Sequence, residues 1–161
     1  MDKVKEKQER IEEYVKESIY KQDKQSLLII IDQTITKNGE TVNSNKRDIE
    51  KIKDAFVPLG FHVHDLKCRD KNFQNLTAST LTKRFQNTIS TYSKENKYDC
   101  LVVFVLSWSP EKNHVSASDG EYIIESLFEK VEHYFVGKPK VFFFRTPYSK
   151  EETRKVPTTF I

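Results

Sequence analysis

Covalent or metal chemistry in this chain would have to come from two cysteines, four histidines and a few hydroxyls, so their placement is read first. A thiol or hydroxyl becomes a nucleophile only within hydrogen-bond reach of a base. Cys100 stands at the amino end of an apolar run and reads as a packed core thiol, while Cys68 follows a shorter run and reads as a loop thiol. Two cysteines make neither a disulfide framework nor a metal cluster. His62 and His64 alternate on one extended segment and so share a face, a spacing that could hold a metal ion, but no third ligand is written nearby. Ser107 and Ser109 flank Trp108, with His114 in the stretch that follows, and no serine–histidine–carboxylate order is legible around either hydroxyl. The glycines at 39, 60, 120 and 137 spell neither a dinucleotide fingerprint nor a phosphate loop, so no cofactor is expected.

The elements that would position these groups follow from periodicity. Val4, Ile11, Val15 and Ile19 form a narrow apolar stripe at helical spacing among Lys and Glu, an amphipathic leader within residues 1–25. Then SLLIIID, an unbroken apolar run ending at Asp32, suits a strand buried on both faces. A loop, TITKNGETVNSN, leads to Asn45, which can cap a helix burying Ile49, Ile52 and Phe56 that ends at Pro58. Gly60 turns the chain into FHVHDL. Thr77 caps a second helix with Leu81, Phe85, Ile89 and Tyr92 on one face, followed by the strand DCLVVFVL. A long loop, SWSPEKNHVSASDG, precedes a helix expected to bury Ile124, Leu127, Phe128, Val131 and Phe135, which Gly137 and Pro139 close before the strand KVFFF. Apolar strands alternating with amphipathic helices specify an α/β/α fold, a mostly parallel sheet doubly wound by helices on both faces. Its ligand crevice should lie at the carboxyl ends of the strands, where strand order reverses. Those ends hold Asp32 and Gln33, Lys67 and Cys68, Ser107 to Ser109, and Arg145 to Pro147.

Composition bounds the function classes. The chain has 161 residues, 37% hydrophobic and 32% charged, with a formal net charge of +3, the profile of one globular domain. That small excess, spread without a basic block, does not support nucleic-acid binding. No apolar run approaches the roughly 20 residues that span a bilayer, and MDKVKEKQER contains no signal-like apolar segment, so no membrane partner and a cytoplasmic location are expected.

Three fragments then carry a family resemblance. Tyr20 precedes SLLIIID as a tyrosine precedes the first strand of caspases; YDCLVVFVLSWS resembles the strand that ends in Leu-Ser-His-Gly; and GKPKVFFFRTPYS resembles Gly-Lys-Pro-Lys, an apolar strand, then Gln-Ala-Cys-Arg-Gly. Asp119 and Gly120 fit the Asp-Gly turn between the last two motifs. The sequence thus resembles the large subunit of a caspase across roughly residues 18–150, with the domain itself at 26–150 and 151–161 similar to the linker and first residues of a small subunit.

The departures fall on the positions the resemblance makes catalytic. Trp108 stands where the family has its histidine base, Ser109 where it has a glycine, and Pro147 where it has the nucleophilic cysteine. Proline supplies neither a thiol nor an N–H for the oxyanion. The pocket for the substrate aspartate is altered too, with Arg145 for the family's glutamine and Val42 aligned with its arginine, for which Arg47 is a nearby alternative. The resemblance therefore implies a pseudocaspase that regulates caspases or their zymogens by association, in the manner of the FLICE-like inhibitory proteins, with no recruitment domain in so short a leader. If the chain ends naturally at Ile161, the small-subunit strands are missing and Val141, Phe142, Phe143 and Phe144 lie on an open sheet edge that invites a caspase partner or a second copy. Two other readings are a self-associating scaffold without a caspase partner, and a hydrolase with a relocated nucleophile at Cys68, Ser107 or Thr146 and His114 as its base.

Overall fold

A computed structural model describes residues 24–33, 36–37, 40–41, 45–66, 68, 76–109 and 113–145. Four parallel strands form its sheet: β1 (Gln25–Asp32), β4 (Phe61–Leu66), β5 (Tyr98–Leu106) and β8 (Lys140–Arg145), in the spatial order β4-β1-β5-β8. In chain order, β1 and β4 lie side by side, and β5 and β8 follow on the other flank of β1. Strand order therefore reverses between β1 and β5, which fixes the crevice there.

The helices cover both faces. Helix α1 (Lys46–Phe56) lies between β1 and β4 in the chain and packs Ile49, Ile52 and Phe56 against Leu28, Ile30, Val102 and Leu106. Helices α2 (Ala78–Glu95) and α3 (Glu125–Val131) take the other face, over Leu27, Ile29, Ile31, Leu101, Val103 and Val105. Every second residue of β1 thus feeds a different core, which is why SLLIIID is apolar without alternation. The faces are unequal. The α2 and α3 side encloses Leu81, Phe85, Ile89 and Leu127 completely, whereas α1 has no fully buried residue.

Local chemistry sets the boundaries. The Thr77 hydroxyl accepts from the Thr80 amide at 3.2 Å and so caps α2, while Asn96 in the left-handed region ends it. After α1, Val57–Leu59 form one 3-10 turn with Pro58 near its start, and Gly60, at φ +83°, redirects the chain into β4.

Several expectations need correction. The α1 cap is not made by the Asn45 side chain; only its carbonyl serves the helix, accepting from Asp48 and Ile49 at 3.0 and 2.9 Å. The stretch after β5 is no plain loop but holds an antiparallel hairpin, β6 (His114–Ala117) and β7 (Gly120–Ile123), and a shorter one joins β2 (Thr36–Lys37) to β3 (Glu40–Thr41). Helix α3 stops at Val131, before Phe135, which is buried but adopts φ +52° outside any helix, and Phe128 is exposed. Cys68 is a core residue, 3% exposed, with its thiol donating to the Leu66 carbonyl, while Cys100 is only half-buried. The leader to residue 23, Val42, Thr146, Pro147 and the tail lie outside the described residues.

Candidate functional site

The carboxyl ends of β1 and β5, with the last residue of β8, frame the crevice. Backbone bonds extend the sheet by one step, Gln33 N–H to the Leu106 carbonyl at 2.9 Å and Ser107 N–H to the Arg145 carbonyl at 3.2 Å. Beyond that step β5 no longer pairs with β1 or β8, and the β6–β7 hairpin supplies its next neighbour: Ser116 N–H donates to the Trp108 carbonyl at 3.0 Å.

This hairpin fixes Ser107, Trp108 and Ser109. Ser107 and Ser109 are buried, and Trp108 between them is half-buried. The Ser109 hydroxyl donates to the His114 carbonyl at 2.6 Å, and that of Ser107 lies 3.4 Å from the Ser116 carbonyl. Each hydroxyl proton is thus directed at a carbonyl oxygen, which cannot act as a general base. An indole N–H donates but has no lone pair to receive a proton, so position 108 offers no base either.

On the α1 side of the crevice, a polar chain that the sequence does not announce ties β1, β5, β8 and the start of α1 together. Asn45 donates through Nδ2 to Asp32 at 2.7 Å and to the Leu106 carbonyl at 3.3 Å, and its Oδ1 accepts from Arg145 at 3.4 Å. Arg145 also pairs with Asp48, in the first turn of α1, at 2.5 Å. The guanidinium that stands where the resemblance puts a pocket glutamine is therefore held by the protein's own carboxylate. Arg47 is exposed on the same turn.

Beneath the crevice is a buried polar pair. Gln33 is 1% exposed; its Oε1 accepts from the Tyr122 hydroxyl at 3.3 Å, and its Nε2 has no hydrogen-bond partner. Burial pushes the Tyr122 hydroxyl far above the ordinary phenol range, with the neighbouring Cys68 acting the same way. Asp119, at the tip of the hairpin, accepts from the Ala78 amide at 2.8 Å and anchors the hairpin to the first turn of α2. Its Asp-Gly spacing is the one sequence signal that marked this tie.

The remaining candidates are scattered. The Cys68 thiol is enclosed in the core. Cys100 faces α1 near the amino end of β5; burial raises its pKa, partly offset by a hydrogen bond with Ser26, so the thiol is a poor nucleophile at neutral pH. His62 and His64 lie on β4 and face α2, away from the crevice. No group of three His, Cys, Asp or Glu side chains able to hold a metal ion occurs among the described residues. None of their helices is long and apolar enough to cross a membrane.

At the sheet margin, β8 pairs with β5 on one side, and among the described strands nothing pairs with its other side. Val141 and Phe143 point to the α1 side and are 40% and 45% exposed, Phe143 stacking on Phe104 with ring centroids 4.6 Å apart. Phe142 and Phe144 are half-buried against the α3 side. Apolar hollows lie on both faces of this strand, about 350 Å³ beside Ile52 and Phe143 and about 640 Å³ beside Phe128 and Phe142.

No curated relative matches the chain. A family description of the caspase domain matches residues 25–157, most of the sequence and every strand of the parallel sheet. With the strand order, the two helical faces and the crevice position in agreement, the chain belongs to the caspase-domain family.

Proposed function

We propose that this chain is a non-catalytic caspase homologue that regulates caspases by protein–protein binding. The observation that carries this reading is position 108. The strand end where the family places its histidine base holds a tryptophan whose carbonyl accepts from Ser116 N–H and which is flanked by serines whose hydroxyls point to carbonyls. Proline at 147 removes both thiol and amide from the nucleophile position of the motif. Losing base and nucleophile together costs orders of magnitude in rate. Arg145, engaged by Asp48 and Asn45, is not poised for a substrate carboxylate.

What such a domain keeps is surface. The exposed flank of β8, with Val141 and Phe143 above it, offers backbone groups and apolar area to a partner strand. The test is titration of the purified chain into active and zymogen caspases, following peptide cleavage and co-elution in gel filtration. A saturable change with a complex supports the reading, and its sign distinguishes inhibitor from activator. No change and no complex refutes it.

The same exposed edge favours a second reading, a scaffold that associates with its own copies and has no caspase partner. Light scattering on the pure chain separates the two.

A further inference from the structure

We infer that His62, Tyr92 and His64 form an acid-sensitive clasp that holds the edge strand β4 against helix α2 and lets go when His64 takes up a second proton. The two histidines alternate on β4 and both face α2, where Tyr92 presents a single hydroxyl between them. Its Oη is 2.9 Å from His64 Nδ1 and 3.4 Å from His62 Nε2. A phenol has one hydrogen to give, so only one ring can receive it, and the shorter contact takes it. His64 Nδ1 must then be an unprotonated acceptor, while His62 donates its Nε2–H to the phenol oxygen. The three groups form a directional relay in which every polar atom has one role.

The rings that enclose the relay make it half-buried. Tyr92 lies edge-on to His64, with centroids 5.3 Å apart, and to Tyr98 at 5.5 Å, while His62 is 5.7 Å from both tyrosines. The surrounding charges offer little to a second cation. On β4, Asp65 lies next to His64 in sequence but is paired with Lys53 at 2.5 Å on the exposed side. From α2 come Tyr92 and Glu95, the latter paired with Lys97 at 3.4 Å, and Arg84 stands two turns earlier. β5 contributes Tyr98; β1 contributes Leu27, Ile29 and Ile31 on this face, none of them charged. Burial holds the His64 pKa below the ordinary imidazole value; Asp65 opposes this and His62 reinforces it.

Protonating His64 at Nδ1 turns the acceptor into a donor. The phenol oxygen must then accept from both rings and turn its own hydrogen away, and the new His64 charge sits among half-buried rings. Among the described strands β4 pairs only with β1, and the clasp supplies the polar tie between it and α2. Its release frees the margin of the sheet opposite β8, through a site separate from the crevice.

The experiment is histidine ring titration by NMR combined with amide hydrogen exchange of the full chain at pH 7.5 and 5.5, corrected for intrinsic exchange. The expected result is one histidine titrating below its ordinary range. Alongside it, protection of the His62–Leu66 amides should fall about tenfold or more on acidification relative to β5. Tyr92→Phe should show the low protection already at pH 7.5, and His62→Gln with His64→Gln, which cannot titrate, should remove the acid dependence. Unchanged β4 protection in the wild type, or a fall that persists in the double glutamine variant, overturns the clasp.

Discussion

Gln33 and Tyr122 bond across 89 residues of sequence, in a place where water does not reach. A buried donor or acceptor left without its partner costs about 1–3 kcal/mol, whereas removing both partners together can be neutral. Gln33→Leu should therefore destabilise the chain by about 1–2 kcal/mol in urea unfolding, because it strands the Tyr122 hydroxyl. Adding Tyr122→Phe should recover most of that loss, helped by disposal of the unpaired Gln33 Nε2. A double variant as unstable as the sum of the singles would show that the pair is not coupled. His64 gives a second prediction. Its folded-state pKa is depressed, so at mildly acid pH the unfolded chain binds more protons and stability rises with pH. That contribution is fully present above the unfolded imidazole value near ~6.5 and is lost as pH falls through the folded value. Denaturant midpoints should drop across this window in the wild type and drop less in His64→Gln. Trp108 and Arg145 were legible in the sequence only as residues at the carboxyl ends of two strands. What they touch was not, because the partners Ser116 and Asp48 are brought in by a hairpin and a helix terminus that leave no local mark.

At the scale of elements, the four long strands and the helices were legible because their apolar periods are unambiguous: continuous for β1 and β5, helical for α2. The β6–β7 hairpin was not. Its strands, HVSA and GEYI, are four residues long and bury only part of their side chains, Val115 and Tyr122 among them, so no alternation is sustained. Asn45 misled for a related reason: an N-cap residue type can equally bridge strands, and here its side chain bonds Asp32 rather than the helix amides. The two caps therefore differ in a testable way. Thr77→Ala should cost about 1 kcal/mol through fraying of the first turn of α2. Asn45→Ala should leave α1 helicity unchanged but loosen the joint of β1, α1 and Arg145, seen as faster exchange of the Gln33 amide. Loss of α1 helicity in Asn45→Ala would return that residue to a capping role.

Over the whole molecule, the two faces are covered unequally, which bears on the edge proposed above for partner binding. Among the described elements, one face carries α2 and α3 and a closed core in which Phe85 is fully enclosed; the other carries α1 and leaves Phe143 and Val141 partly exposed beside the flank of β8 that no described strand pairs. Core and surface phenylalanines should then behave oppositely. Phe85→Ala removes a buried ring and should cost about 3–5 kcal/mol of stability. Phe143→Lys replaces a ring that is already 45% exposed and stacks on Phe104, so it should cost little in folding. Yet a lysine on an edge strand is the device by which sheets refuse a neighbour, since docking a strand there would bury its charge. If the domain works through this edge, Phe143→Lys should keep the wild-type unfolding midpoint within about 1 kcal/mol while abolishing both co-elution with caspases and self-association in sedimentation velocity. Retained caspase binding in a folded Phe143→Lys chain would move the interface off β8, and a loss of self-association alone would assign the edge to copies of this chain and the caspase contact to another surface.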